Sequence, residues 1–167
     1  MNTIGDVKAG VVVIAGNSYV AVHLDDYKKN KDQIAEFVRT KQWGREWTSV
    51  GVALFKARQM LDEVHADKKE IIIFSDGDND RCKRCPQWKK DEIQAHPQDV
   101  EAEEIHRRGI HVTYVAINYD KSPERIQMIA GDPRNIIKIN SFTSFDTNVL
   151  NSVVNTVCTV EKMERRW

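Results

Sequence analysis

Ile71-Ile72-Ile73-Phe74-Ser75-Asp76-Gly77-Asp78-Asn79-Asp80 is the stretch that decides the fold. An apolar run enters a cluster of carboxylates without a break. A run this dense predicts a strand buried on both faces, as inside a parallel sheet. Gly77 allows a sharp exit, which places Asp76 at the carboxyl end of a central strand, where open α/β sheets put their ligands. A hard cation such as Mg²⁺ needs carboxylate and hydroxyl oxygens in a rigid frame, and a strand end offers one.

Upstream, Ala9 to Ala15 is a dense Val/Ile run, Gly16-Asn17-Ser18 is turn chemistry, and Tyr19 to Leu24 alternates. Together they predict a hairpin, that is, an antiparallel edge on a mostly parallel sheet. Asp25 to Lys31 reads as a polar link to a short helix over Lys31 to Thr40, with Ile34, Phe37 and Val38 as its stripe. Lys41 to Trp47 is a loop whose Trp43 and Trp47 are expected to pack over the sheet end. Thr48 then caps a helix to about Val64, with Val50, Leu54, Ala57, Leu61 and Val64 on one face.

Downstream, Asp76 to Pro97 is too long and polar for an ordinary connection and predicts an irregular excursion near the ligand face. Its basic part, Lys83 to Lys90, reads as solvated. A helix over Pro97 to Arg108 ends at Gly109, and Ile110 to Ile117 is a buried strand. Ser122-Pro123 opens a helix that stops by Gly131-Asp132-Pro133. Asn135 to Ile139 is a short strand, and Phe145 to about Val157 a last helix with Leu150, Val153, Val154 and Val157 facing inward. Strands alternating with helices predict right-handed crossovers in a doubly wound α/β domain over residues 1–160, followed by a polar tail at 161–167.

Lys+Arg and Asp+Glu are equal at 25 each in 167 residues, so the net charge is zero. That balance argues against a nucleic-acid footprint and against attraction to a membrane surface. No apolar run approaches a membrane span, and Met1 to Gly10 lacks the apolar core of a signal peptide, so the chain is expected to be intracellular or a piece of a longer one. Cys82-Lys83-Arg84-Cys85 has zinc-knuckle spacing but no second pair follows, which favours a local disulfide or free thiols over zinc. His23, His65, His96, His106 and His111 are scattered, and His111 in a strand is expected to be a packed residue rather than a ligand.

The sequence resembles the von Willebrand factor type A domain family. The resemblance is carried by Thr48 with Gly51, Ala53 and Leu54, by Ile71 to Gly77, by Arg108-Gly109-Ile110-His111-Val112, and by Ile129-Ala130-Gly131-Asp132-Pro133 leading to Phe142 and Phe145. It runs from about Ala9 to Cys158. The family builds a metal-ion-dependent adhesion site from an Asp-x-Ser-x-Ser loop, a threonine and an aspartate; Thr48 and Asp76 match the last two. The resemblance implies a non-enzymatic module that binds a protein ligand, with that ligand's carboxylate completing the shell of a bound Mg²⁺, in an extracellular adhesion or matrix setting. An intracellular scaffold domain that binds no metal is the variant reading.

The family's first strand, its Asp-x-Ser-x-Ser loop and its first helix have no counterpart here. That strand would lie between those at Ala9–Ala15 and Lys69–Ser75, so a gap or direct pairing of those two is expected. Mg²⁺ binding should accordingly be weak or lost, unless Asp78 or Asp80 supplies the missing ligands. Cys158, whose usual partner in secreted members lies in the missing segment, is expected to be unpaired. Two other motifs compete for the same residues. The EF-hand pattern fails, since its sixth and twelfth positions are Arg81 and Gln87. A phosphohydrolase of the haloacid-dehalogenase type would use Asp76 as nucleophile with Asp78, but Asp80 stands where that family wants Thr or Val, and the motif does not follow the first strand.

Overall fold

The computed structural model describes residues 7–41, 48–78, 84–144 and 146–164. The chain divides into two compact units, Met1–Ala66 with Asn79–Glu101, and Asp67–Asp78 with Ala102–Trp167. The expectations for Trp43, Trp47, Asp80 and Cys82, and for the side chains of Val157 and Cys158, fall outside the described residues.

In the first unit, β1 (Lys8–Val13) and β2 (Tyr19–Asp26) form the expected antiparallel hairpin. Ser18, buried in its turn, donates to the carbonyls of Ala15 and Ser49. The polar link is shorter than the sequence suggests. Helix α1 (Tyr27–Thr40) starts directly after β2 because Asp26 caps it, accepting the Lys28 N–H at 3.0 Å. Its one buried residue is Asn30, whose amide donates to the Ala9 carbonyl at 2.5 Å and the His23 carbonyl at 3.3 Å, so a polar side chain ties α1 to the hairpin. Val38, expected on the apolar stripe, is exposed.

Helix α2 (Val50–Asp62) buries Val50 to Leu54, and its N-cap is Ser49 rather than Thr48. The excursion after Asp76 is not wholly irregular, for it carries helix α3 (Gln87–Ala95). No residue of α3 is buried, so periodicity gave no sign of it. Behind α3, the His96 ring stacks on Phe55 at 3.7 Å and its Nδ1 lies 2.9 Å from Glu101 Oε1. Arg58 holds the other oxygen of Glu101 through Nε at 3.0 Å and a terminal nitrogen at 2.8 Å. A Cβ on Gly51 would collide with the His96 carbonyl oxygen, so this crossing requires glycine. Glu101 opens helix α4 (Gln98–Arg107), which ends where Gly109 turns left-handed at φ 67°.

The second unit is a parallel sheet in the order β3 (Glu70–Ser75), β4 (His111–Ile117), β5 (Ile136–Ile139). Ile73 pairs with Tyr114 and Ser75 with Ala116. Helix α5 (Pro123–Ala130) buries Ile126, Ile129 and Ala130 and packs against β4. Helix α6 (Thr147–Glu164) packs against β4 and β5, where Val153 joins Val115, Ile117 and Ile139, with Ile137 and Val149 beside them. It continues into the charged stretch after Val160.

Two expectations are corrected here. The inward stripe of α6 is Val149 with Val153, while Leu150 and Val154 are half exposed. Both pairs have i, i+4 spacing, so sequence period alone does not choose between them. Strand β3 is buried on one face only: Ile73 is 4% exposed, but Ile72 and Phe74 are 43% and 45% exposed. β3 is the edge of its sheet and α6 lies over the other two strands. His111 is a packed polar residue, as expected, with Nδ1 3.1 Å from Glu70 Oε1, an oxygen that also accepts from the Thr113 hydroxyl at 2.6 Å.

Candidate functional site

Ser75 ends β3, and the three residues after it turn sharply. Gly77 adopts φ 78°, which side chains disfavour, and a Cβ there would lie 2.8 Å from Ile126 Cγ1 and 3.0 Å from Ser122 Cβ. Its N–H donates to Ser75 Oγ at 3.2 Å. The turn puts Asp76 and Asp78 side by side, and the Asp78 N–H donates to Asp76 Oδ1 at 3.2 Å.

The next strand supplies the partner. β4 ends at Asn118, which is left-handed at φ 54° and starts a single 3-10 turn, Tyr119–Lys121. Lys121 reaches back to both carboxylates: its Nζ lies 3.1 Å from Asp76 Oδ2 and also ion-pairs with Asp78 Oδ2. The ammonium's pKa is raised, first by Asp78 and then by Asp76. Ser122 precedes α5, but its hydroxyl makes no cap; it donates to Asp78 Oδ1 at 3.4 Å.

The turn bearing Lys121 is itself fixed. The Asn118 N–H donates to the Ile139 carbonyl at 2.8 Å and the Lys121 N–H to the Asn118 carbonyl at 3.0 Å. The Tyr119 ring carries Lys138 Nζ 3.7 Å above its centroid, and its hydroxyl accepts from the Gln127 side chain. Beneath the site Tyr114 is fully buried. Burial pushes its hydroxyl up to about 12, Ser75 pulls the other way, and the Asp76 charge adds to the rise.

Of the residues singled out in the sequence, Asp76 and Asp78 are brought together. Thr48 lies in the first unit, just ahead of α2 and partly buried. Cys85 is disulfide-bonded. Lys121 and Ser122 were not singled out as site residues. They lie 45 and 44 residues from the carboxylates they bind, so only the βαβ topology brings them there.

Residues 4–155 match the family described as von Willebrand factor type A domain. The chain belongs to the von Willebrand factor type A domain family. Members are generally interaction modules that catalyse nothing, and they commonly join proteins to proteins. Among solved structures, proximal thread matrix protein 1 from the mussel byssus superposes with a TM-score of 0.69 at 19% identity, over 90% of this chain and 36% of that one. A second structure of that protein, described as having a zinc-occupied metal-ion-dependent adhesion motif, gives 0.69 at 21% identity over 95% of this chain and 38% of that one. BatB, a conserved hypothetical protein from Bacteroides thetaiotaomicron, gives 0.62 at 14% identity over 90% and 79%. The chain spans little more than a third of the mussel protein's length, and at these identities the likeness establishes the fold. No curated protein matches the sequence. No helix among the described residues is long and apolar enough to cross a membrane.

The family implies a divalent cation at this rim, and the described residues do not fit one. A cation shell needs oxygens that are not already committed. Here Lys121 holds Asp76 and Asp78, Ser75 Oγ takes the Gly77 N–H, and Ser122 is spent on Asp78. Among the described residues no three His, Cys, Asp or Glu side chains cluster.

Proposed function

We propose that this von Willebrand factor type A domain is an adhesion or matrix-interaction module whose metal-ion-dependent adhesion site is degenerate. The observation that carries the reading is the Lys121 ammonium seated on both Asp76 and Asp78. Thr48 is assigned to the ancestral site on the family pattern alone, and Asp80 only as a candidate substitute for ligands of the missing loop. Mg²⁺ is held weakly or not at all, and the protein ligand docks without a metal bridge. Both oxygens of Asp76 are engaged, one by Lys121 and one by the Asp78 N–H, which favours a binding role over a nucleophilic carboxylate. The Cys85 disulfide supports an oxidising, extracellular setting. A matrix protein among the structures that share the fold is consistent with that setting.

The test is solid-phase binding of the domain to a panel of immobilised matrix proteins, with Mg²⁺ or with EDTA. Saturable binding to at least one of them, unchanged by EDTA, is the expected result. Failure to bind any of them would overturn the matrix role, and binding abolished by EDTA would overturn the degenerate site.

A further inference from the structure

We propose that Lys121 is a resident cation, occupying the position between Asp76 and Asp78 that a divalent ion would otherwise take. This rests on the degenerate-site reading and names the residue responsible. Two carboxylates side by side repel each other and need a positive charge between them. In this chain a tethered ammonium meets that need, 3.1 Å from Asp76 and in contact with Asp78.

A surface lysine that met two carboxylates by chance would carry little structure around it. Lys121 carries a good deal. Its turn is set by the left-handed Asn118, and the neighbouring Tyr119 is clamped by Lys138 and Gln127. The adjacent Ser122 gives up its capping role to bind Asp78. Gly77 is required where it stands, because Ile126 and Ser122 fill the space a side chain would need. The backbone on both sides of the ion pair is therefore set before any ligand arrives, which lowers part of the entropy cost that makes most exposed pairs weak. A divalent ion arriving at the rim must displace the ammonium, and a tethered competitor acts at high effective concentration.

Taken by themselves, Asp76, Asp78 and Lys121 carry two carboxylates against one ammonium, and the ammonium stands where a metal would have to enter. A ligand carboxylate then meets an ammonium instead of a metal, so engagement is independent of divalent ions.

The experiment is isothermal titration of Mg²⁺, and separately Mn²⁺, into the wild-type chain and into Lys121→Gln, Lys121→Ala and Lys121→Arg, with circular dichroism confirming that each is folded. Lys121 is 46% exposed, so its replacement leaves the core untouched. Lys121→Gln and Lys121→Ala should bind at least about tenfold more tightly than wild type. Lys121→Arg, which keeps the charge, should resemble wild type. Adding Asp76→Asn to Lys121→Gln should remove the gained binding. If neither neutral variant gains affinity, or if Lys121→Arg gains it equally, Lys121 is not the resident cation, and the degenerate-site reading is left standing without it. If wild type itself binds as tightly as the neutral variants, the degenerate-site reading falls with it.

Discussion

Gly77 and Ile126 are so placed that a Cβ on the glycine would stand 2.8 Å from the isoleucine's Cγ1. The turn that delivers Asp76 and Asp78 is thus packed directly against the first turns of α5, and at φ 78° it is also in the left-handed region. Gly77→Ala meets both obstacles, and a strained backbone alone costs about 1–3 kcal/mol. Urea denaturation should show a loss in that range, together with a loosened Lys121 ion pair. A loss below about 0.5 kcal/mol would mean that the turn is not under this constraint.

Glu101 is 6% exposed at its side chain and joins Arg58, 12% exposed, to His96. Removing one partner of a buried ion pair strands the other charge, at about 3–5 kcal/mol. Arg58→Ala should therefore lower stability by about 3 kcal/mol in urea denaturation. Lys89→Ala on the solvated helix α3 should change stability by less than about 0.5 kcal/mol.

The one-sided burial of β3 is open to a paired test. Ile73→Ala should cost about 2–5 kcal/mol, as for a buried isoleucine. Ile72→Ala, with 43% of the residue already in water, should cost roughly half of that or less. Equal losses would show that the outer face of β3 is covered in solution.

Tyr114 links the core to alkaline stability. Its hydroxyl is raised from 10.0 to about 12 because burial disfavours the phenolate. A folded-state value above the unfolded one means that the contribution is fully present below pH 10.0 and is lost as pH rises through about 12. Ultraviolet difference titration should show a late phenolate component that Tyr114→Phe lacks, and the variant should unfold at higher pH than wild type. A titration with no late component would contradict the burial argument.

The hairpin, β3, the C-cap at Gly109 and the alternation of elements were legible in the sequence because each rests on a local signal: a Val/Ile run, a turn pair, a glycine after a helix. What was not legible depends on partners distant in the chain. Asn30 looks solvent-facing until the carbonyls of Ala9 and His23 are beside it. Helix α3 has no fully buried residue and so has no clear stripe to read. Strand β3 looked buried on both faces because an apolar run records composition and not which neighbours are present. Asp76 and Asp78 could be picked out as candidates from their place after a strand. Lys121 could not, since nothing in its own neighbourhood marks it as the counter-ion of residues on another strand.

The most direct measurement is a crystal structure of the wild-type chain grown with millimolar MnCl₂, using anomalous scattering to locate manganese. Lys121 Nζ should be lodged between the carboxylates of Asp76 and Asp78, with no manganese peak at the end of β3. A manganese peak bridging those two carboxylates, with Lys121 turned away, would contradict it.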